Sequence, residues 1–237
     1  MPRLRIPKIK PKHPENVLRA EKLLGYRFKD KGMLETALTH PSAAKHEQGT
    51  LNYERLEFLG DAVLELISSQ FFYERYPDWK EGQLTRVRSS MVCEPALAYC
   101  ARDISLPSYI LLGKGEDSTG GRQRDSIVSD VMEAVLGAVY LDGGFDEAKK
   151  FVYQWILSDL ESKQLFYDAK SILQERTQKA GKELTYRLDS VSGPDHDKVF
   201  KIEALIDGKC VGSGTGKSKK SAEQQAAYEV LKKTLQK

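Results

Sequence analysis

Residues 54–67, ERLEFLGDAVLELI, restrict this chain more than any other stretch. Carboxylates stand at Glu54, Glu57 and Asp61, spaced i, i+3, i+7. At about 3.6 residues per turn the three acids share one face of a helix. Leu56, Phe58, Leu59, Val63, Leu64, Leu66 and Ile67 spread round the rest of the cylinder. A helix that is apolar on most sides is expected to be buried. Buried carboxylates are costly unless they are paired or bound to a metal. Residues 127–137, IVSDVMEAVLG, repeat the pattern, with Asp130 and Glu133 at i, i+3 inside another apolar helix.

Acids from two such helices form an all-oxygen, anionic donor set. That set suits a hard divalent cation, Mg²⁺ with Mn²⁺ as a substitute. Zinc would call for His or Cys, and neither segment contains one. Bound Mg²⁺ pairs with phosphate oxygens and activates water toward a phosphodiester. Two plainer readings compete. Acids at helical spacing commonly form a solvated face, although here the flanking apolar residues leave little polar face to solvate. Alternatively the acids form an ion-pair network with Arg55, Arg86 or Arg88.

The chain has 237 residues, enough for one large or two modest domains. No run approaches the roughly 18 apolar residues of a membrane span, so no membrane role is expected. The basic, Pro-punctuated start has no apolar core of a secretory signal and reads as a mobile tail over residues 1–13. Cys93, Cys100 and Cys210 are few and scattered. They fit neither a disulfide frame nor a zinc site, and a reducing cytoplasm is the expected home. Net charge is +3, unevenly spread: residues 168–237 carry +4, and the chain between them and the first twelve residues carries −6. An acidic body flanked by basic ends can attract phosphates at the ends and needs cations at its centre.

Residues 14–162 read as an all-α domain, with helices over 14–24, 31–38, 54–76, 81–102, 126–142 and 145–161. Breaks fall at Pro77-Asp78, Leu106-Pro107, and Gly113 through Gly121. Residues 163–167 are the expected linker. From residue 168 the pattern changes. A helix over about 171–180 precedes a strand in which Leu184, Tyr186 and Leu188 alternate with polar residues. Phe200, Ile202, Ala204 and Ile206 alternate in the next, and Asp207-Gly208 turns into a third strand over 209–216. Ser218 caps a last helix. The fold class is therefore an all-α domain followed by a small α+β domain of order α-β-β-β-α over residues 168–237.

The stretch 54–61, ERLEFLGD, resembles the signature of ribonuclease III. The landmarks 37–40 (ALTH), 81–85 (EGQLT) and 125–133 (DSIVSDVME) follow in the family's order. Tyr53 departs from the Asn that the family commonly places before the first Glu. The last 70 residues resemble a double-stranded-RNA-binding domain. The resemblance implies a Mg²⁺-dependent endoribonuclease that cuts double-stranded RNA into 5′-phosphate and 3′-hydroxyl ends with short 3′ overhangs. It implies roles in rRNA and mRNA processing and a homodimer with one site per strand.

Carried over residue by residue, Glu57, Asp61, Asp130 and Glu133 are the metal ligands, with Asp61 and Glu133 central to catalysis. Glu54 assists at the cluster's edge, and Glu81 approaches from the partner subunit. For RNA binding the resemblance points to Gln174 and Glu175 on the first helix of the small domain. It points also to His196 in the first hairpin, and to Lys217, Lys219 and Lys220 at the start of the last helix. Glu223 stands where many such domains have a Lys. His40 reads as a hydrogen-bonded core or helix-end residue. The rival readings are a non-catalytic RNA-binding scaffold and a metal phosphohydrolase acting on small nucleotides.

Overall fold

The computed structural model describes residues 10–44, 51–159, 169–194, 198–216 and 218–235. The chain divides into two compact units, Met1–Ser158 and Asp159–Lys237. The expected linker, 163–167, lies outside the described residues.

The described helices of the first unit are α1 (Pro14–Leu24), α2 (Lys31–Leu38), α3 (Pro41–Ala44), α4 (Glu54–Arg75), α5 (Glu81–Met91), α6 (Glu94–Asp103), α7 (Lys114–Ser118), α8 (Asp125–Gly143) and α9 (Phe145–Phe151). One long helix expected over 81–102 is two. Pro95 has no N–H and cannot continue α5, so Cys93 takes an extended ψ of 159° and α6 restarts after it. The helix expected over 145–161 instead passes after Phe151 into a π-helical turn, Val152–Ile156.

Helix α8 is the axis of the unit. It packs against α2, α4, α6 and α9, and from Ile127 to Val139 all but Asp130 and Glu133 are buried. Its far end is anchored by Asp142, which accepts from the Tyr26 hydroxyl (2.8 Å) and the backbone N–H groups of Lys29 (3.0 Å) and Asp30 (2.9 Å). On α2 the buried Glu35 accepts from the backbone N–H groups of Lys12 (2.8 Å) and His13 (2.5 Å). The last two residues of the expected mobile tail are thus tied to α2.

Helix α4 corrects a further expectation. It is not buried all round. Leu56, Gly60, Val63, Leu64 and Ile67 face the core, whereas Phe58 (81% exposed), Leu66 (58%) and Tyr73 (73%) face solvent. The apolar excess therefore serves two faces, one packed inside the chain and one open.

The packed face meets α8 at a glycine crossing. A Cβ placed on Gly60 would lie 1.8 Å from the Glu133 carbonyl oxygen, and one on Gly137 would lie 2.2 Å from the Leu56 carbonyl oxygen. The two backbones touch, and any side chain at either position would separate them. A mid-helix Gly costs about 1 kcal/mol against Ala, a cost offset here by the close approach.

The second unit has helix α10 (Ala169–Lys179), strands β1 (Leu184–Ser192), β2 (Val199–Ile206) and β3 (Lys209–Gly216), and helix α11 (Lys219–Leu235). The strands form one antiparallel sheet of order β1-β2-β3. Asp207 (φ 50°) and Gly208 (φ 76°) make the two-residue hairpin. Ala169 and Leu173 of α10, Ala204 of β2, and Ala226, Ala227, Val230 and Leu231 of α11 form the core. Close helix–sheet contact again needs a missing side chain, since a Cβ on Gly214 would lie 2.2 Å from the Ala226 nitrogen. The expected alternation of β1 fails at Leu188, which is 42% exposed. A bulge between Leu188 and Ser190 shifts the register there.

Gly60→Ala should therefore destabilise the first unit by about 2 kcal/mol or more, despite its gain in helix propensity. Denaturant unfolding of the variant checks this. A variant as stable as the parent would refute the backbone contact.

Candidate active site

The glycine crossing decides which side chains meet. On α4, Glu57 lies one turn before Gly60 and Asp61 directly after it. On α8, Glu133 lies one turn before Gly137 and Asp130 nearly one turn earlier. Because the helices touch at the glycines, the acids that flank them are forced into one neighbourhood.

Their electrostatics record the crowding. Glu57 is pushed up to about 7, by partial burial first and then by Asp130, Glu54 and Asp61. Glu133 is pushed up to about 8, by burial first and then by Asp61, Asp130, Glu57 and Glu65. Asp130 is also raised, chiefly by burial. The Tyr53 hydroxyl donates to Asp130 Oδ2 at 3.2 Å, and burial together with the neighbouring Asp130 holds that phenol above its ordinary range.

Among the described residues no Lys or Arg forms an ion pair with Glu57, Asp61, Asp130 or Glu133. The guanidinium network weighed from the sequence instead involves Glu65, which meets Arg88 Nε at 3.0 Å while Arg88 also donates to the Ser69 hydroxyl (2.7 Å). Among the described residues no three acidic, His or Cys side chains stand at ligand geometry. The donor set still fits a hard divalent ion. Its donors are all carboxylate oxygens, and Glu57, Asp130 and Glu133 carry raised proton affinities that a cation would relieve. Mg²⁺ is typically held by one or two carboxylates, waters and substrate oxygens, and does not need a full protein cage.

The other expected residues divide. Glu54 sits exposed at the start of α4, accepts from Asn52 Nδ2 (2.8 Å), and adds to the field on Glu57. Glu81 is exposed at the start of α5, accepts from the Thr85 hydroxyl (2.9 Å), and is not among the acids that raise Glu57 or Glu133. Within one chain it does not join the cluster. His40 caps α3: its Nδ1 accepts from the Ser42 N–H (3.0 Å) and lies 2.7 Å from the Ser42 hydroxyl. Sequence reasoning missed Tyr53 and Glu65 as members of this neighbourhood. Glu65 continues the i+4 spacing from Asp61, a legible signal. Tyr53 lies outside the helix, and its reach to α8 had no signal in the spacing.

In the second unit α10 buries Ala169, Leu173 and Thr177 and exposes Gln174 and Glu175 on the opposite face. Lys219 and Lys220 are exposed in the first turn of α11, where the Ser218 hydroxyl caps the helix by accepting from the Ser221 N–H (3.1 Å). His196 and Lys217 lie outside the described residues. Glu223 is bound to Lys170 of α10, so it ties two helices together within the unit.

Residues 30–160 match the family described as Ribonuclease-III-like, and residues 169–234 match the double-stranded RNA binding motif. Ribonuclease 3 of Caldanaerobacter subterraneus subsp. tengcongensis is 45% identical over 219 residues, covering 90% of this chain and 96% of the relative. Ribonuclease 3 of Streptococcus pneumoniae is 46% identical over 213 residues, covering 88% and 92% respectively. A solved nuclease domain of ribonuclease III from Campylobacter jejuni matches with a TM-score of 0.55 at 39% identity, covering 60% of this chain and 94% of that one. The chain belongs to the ribonuclease III family, with a helical double-stranded-RNA endonuclease unit followed by a double-stranded-RNA-binding domain.

Proposed function

We propose that the chain cleaves double-stranded RNA with Mg²⁺ held by Glu57, Asp61, Asp130 and Glu133. The observation that carries this reading is the α4–α8 seam itself, where Gly60 and Gly137 bring the two backbones into contact and the acids beside them, Glu57 and Glu133, are raised by burial and by neighbouring carboxylates. When bound, the ion supplies a water of lowered pKa and neutralises charge developing on the phosphate. Glu133 and Glu57, whose proton affinities are raised, are the ligands from which a bound cation would displace protons. Asp61, on the exposed side of the seam, faces the approaching strand. Glu54 borders the cluster and orients what enters it. Breaking the bond to the 3′ oxygen leaves 5′-phosphate and 3′-hydroxyl ends.

The active form is a homodimer. The open face of α4 supports this. Phe58, Leu51, Leu59 and Leu141 line a groove of about 790 Å³ that also contains Met33 and Leu56. In the Campylobacter jejuni nuclease domain, structural flexibility lies in a region involved in dimer formation. A C₂ pair presents one site to each strand of a duplex and brings Glu81 of one subunit toward the other's cluster. Cuts offset across the minor groove leave short 3′ overhangs. The substrates are structured rRNA and mRNA precursors in the cytoplasm.

The small domain reads the shape of the duplex. Gln174 and Glu175 reach sugar hydroxyls and base edges of a minor groove, and His196 enters the next. Lys219 and Lys220, at a helix N-terminus, meet phosphates between the two grooves, together with Lys217, which precedes them in the sequence. Residues 14–162 form the nuclease domain, 163–167 the linker and 168–237 the RNA-binding domain.

Three outcomes test this reading. Long duplex RNA should be cut with Mg²⁺ and spared with a chelator. Glu133→Gln should slow cleavage by ~100-fold or more, since even partners of metal ligands contribute 10–100-fold, while duplex binding persists. Cleavage that survives chelation would reject the mechanism.

The second outcome concerns pH. Glu57 and Glu133 bind protons more tightly folded than unfolded, so the folded state holds more protons between the ordinary carboxylate range and about 7 to 8. The stability that these two groups contribute in the metal-free protein is therefore full below that window and falls as pH rises through it. In chelator, Glu133→Gln should gain melting temperature relative to the parent between about pH 5 and pH 8, and Mg²⁺ should stabilise the parent more at the higher pH. Parallel melting profiles would contradict the assignment.

Third, Lys219→Ala combined with Lys220→Ala should weaken duplex binding and lower its salt slope by about 2. An unchanged slope in a filter-binding titration would remove both from the phosphate contacts.

A further inference from the structure

Tyr53 touches the acidic cluster, and the mechanism gives it no part. It is 4% exposed and stands immediately before α4. Its carbonyl accepts from the N–H groups of Leu56 (2.8 Å) and Glu57 (2.9 Å), so it starts the helix that carries two of the acids. Its own N–H donates to the Thr39 carbonyl (3.0 Å). The His40 ring meets its ring edge-on, with centroids 5.7 Å apart. Backbone and ring are thus both fixed, and the phenol has little freedom left. Its hydroxyl crosses from the start of α4 to α8 and donates to Asp130 Oδ2 at 3.2 Å. Among the described residues no other side chain hydrogen-bonds Asp130 and no cation pairs with it.

We propose that Tyr53 is a positioning residue, whose hydroxyl fixes the Asp130 carboxylate in the orientation in which it meets the divalent ion. The inference rests on the metal reading of the cluster and adds a residue to it. A neutral hydroxyl suits the task. It orients one carboxylate oxygen without adding a positive charge that would compete with the ion. Groups that orient metal ligands typically contribute 10–100-fold in metal affinity. The glycine crossing sets the distance between the helices, and Tyr53 sets the rotation of one ligand on the second helix.

The test uses the full chain and Mn²⁺ as the probe, with binding followed by electron paramagnetic resonance. Tyr53→Phe should bind Mn²⁺ about 10-fold more weakly. Its Mg²⁺ midpoint for duplex cleavage should rise by the same factor, while the rate at saturating Mg²⁺ and duplex binding in chelator stay close to the parent's. Replacing Tyr53 by 4-aminophenylalanine keeps a donor and should restore Mn²⁺ affinity. Parental affinity in Tyr53→Phe, or equal weakness in both variants, overturns the proposal. So does a Tyr53→Phe chain that no longer melts cooperatively in chelator, because the hydroxyl is then structural. Asp130→Asn separates the two levels. If the parent binds no Mn²⁺, or Asp130→Asn leaves binding intact, the metal reading itself falls and the positioning role with it.

Discussion

Contact between two glycine backbones holds this site together. Gly60 and Gly137 let α4 and α8 touch where any other residue would insert a methyl group into a carbonyl. The consequence is electrostatic. Burial first, and neighbouring carboxylates second, raise the proton affinities of Glu57 and Glu133 beside the crossing. Carboxylates held together without a compensating guanidinium store unfavourable energy that a divalent cation would relieve. The packing of the core and the chemistry of the site are thus two results of one crossing.

The same device recurs in the small domain. Gly214 lets α11 lie against β3, and the helix then presents Lys219 and Lys220 from its first turn. Glu223 is drawn to Lys170 and serves the domain's own cohesion. Charge is divided accordingly along the chain. The nuclease unit gathers carboxylates at the α4–α8 seam, where the proposed cation would sit, and the small domain exposes Lys219 and Lys220, where phosphates are proposed to bind.

Much of this was legible in the sequence. The i, i+3, i+7 spacing of Glu54, Glu57 and Asp61 and the i, i+3 spacing of Asp130 and Glu133 name the acids. The unusual mid-helix Gly60 signals a close approach. The order of elements in the small domain follows from alternation and from the Asp207-Gly208 turn, whose two positive φ values are those a tight hairpin needs. Periodicity overreached at several elements, α5–α6 and α4 among them. It joined α5 to α6 because Pro95 falls where a helix can both stop and start. It also buried α4 on every side, because an apolar residue such as Phe58 looks the same whether it faces a core or an open surface. Contacts made across the fold had no local signal. Tyr53 reaches Asp130 over 77 positions of chain, and only the packing of the helices reveals it.

The most direct measurement is anomalous diffraction at the manganese edge from crystals of the full chain grown with Mn²⁺. The account predicts a peak in the seam between α4 and α8, within reach of Glu57, Asp61, Asp130 and Glu133. A seam closed by the Arg88 guanidinium, with manganese elsewhere or absent at saturating concentration, would contradict it.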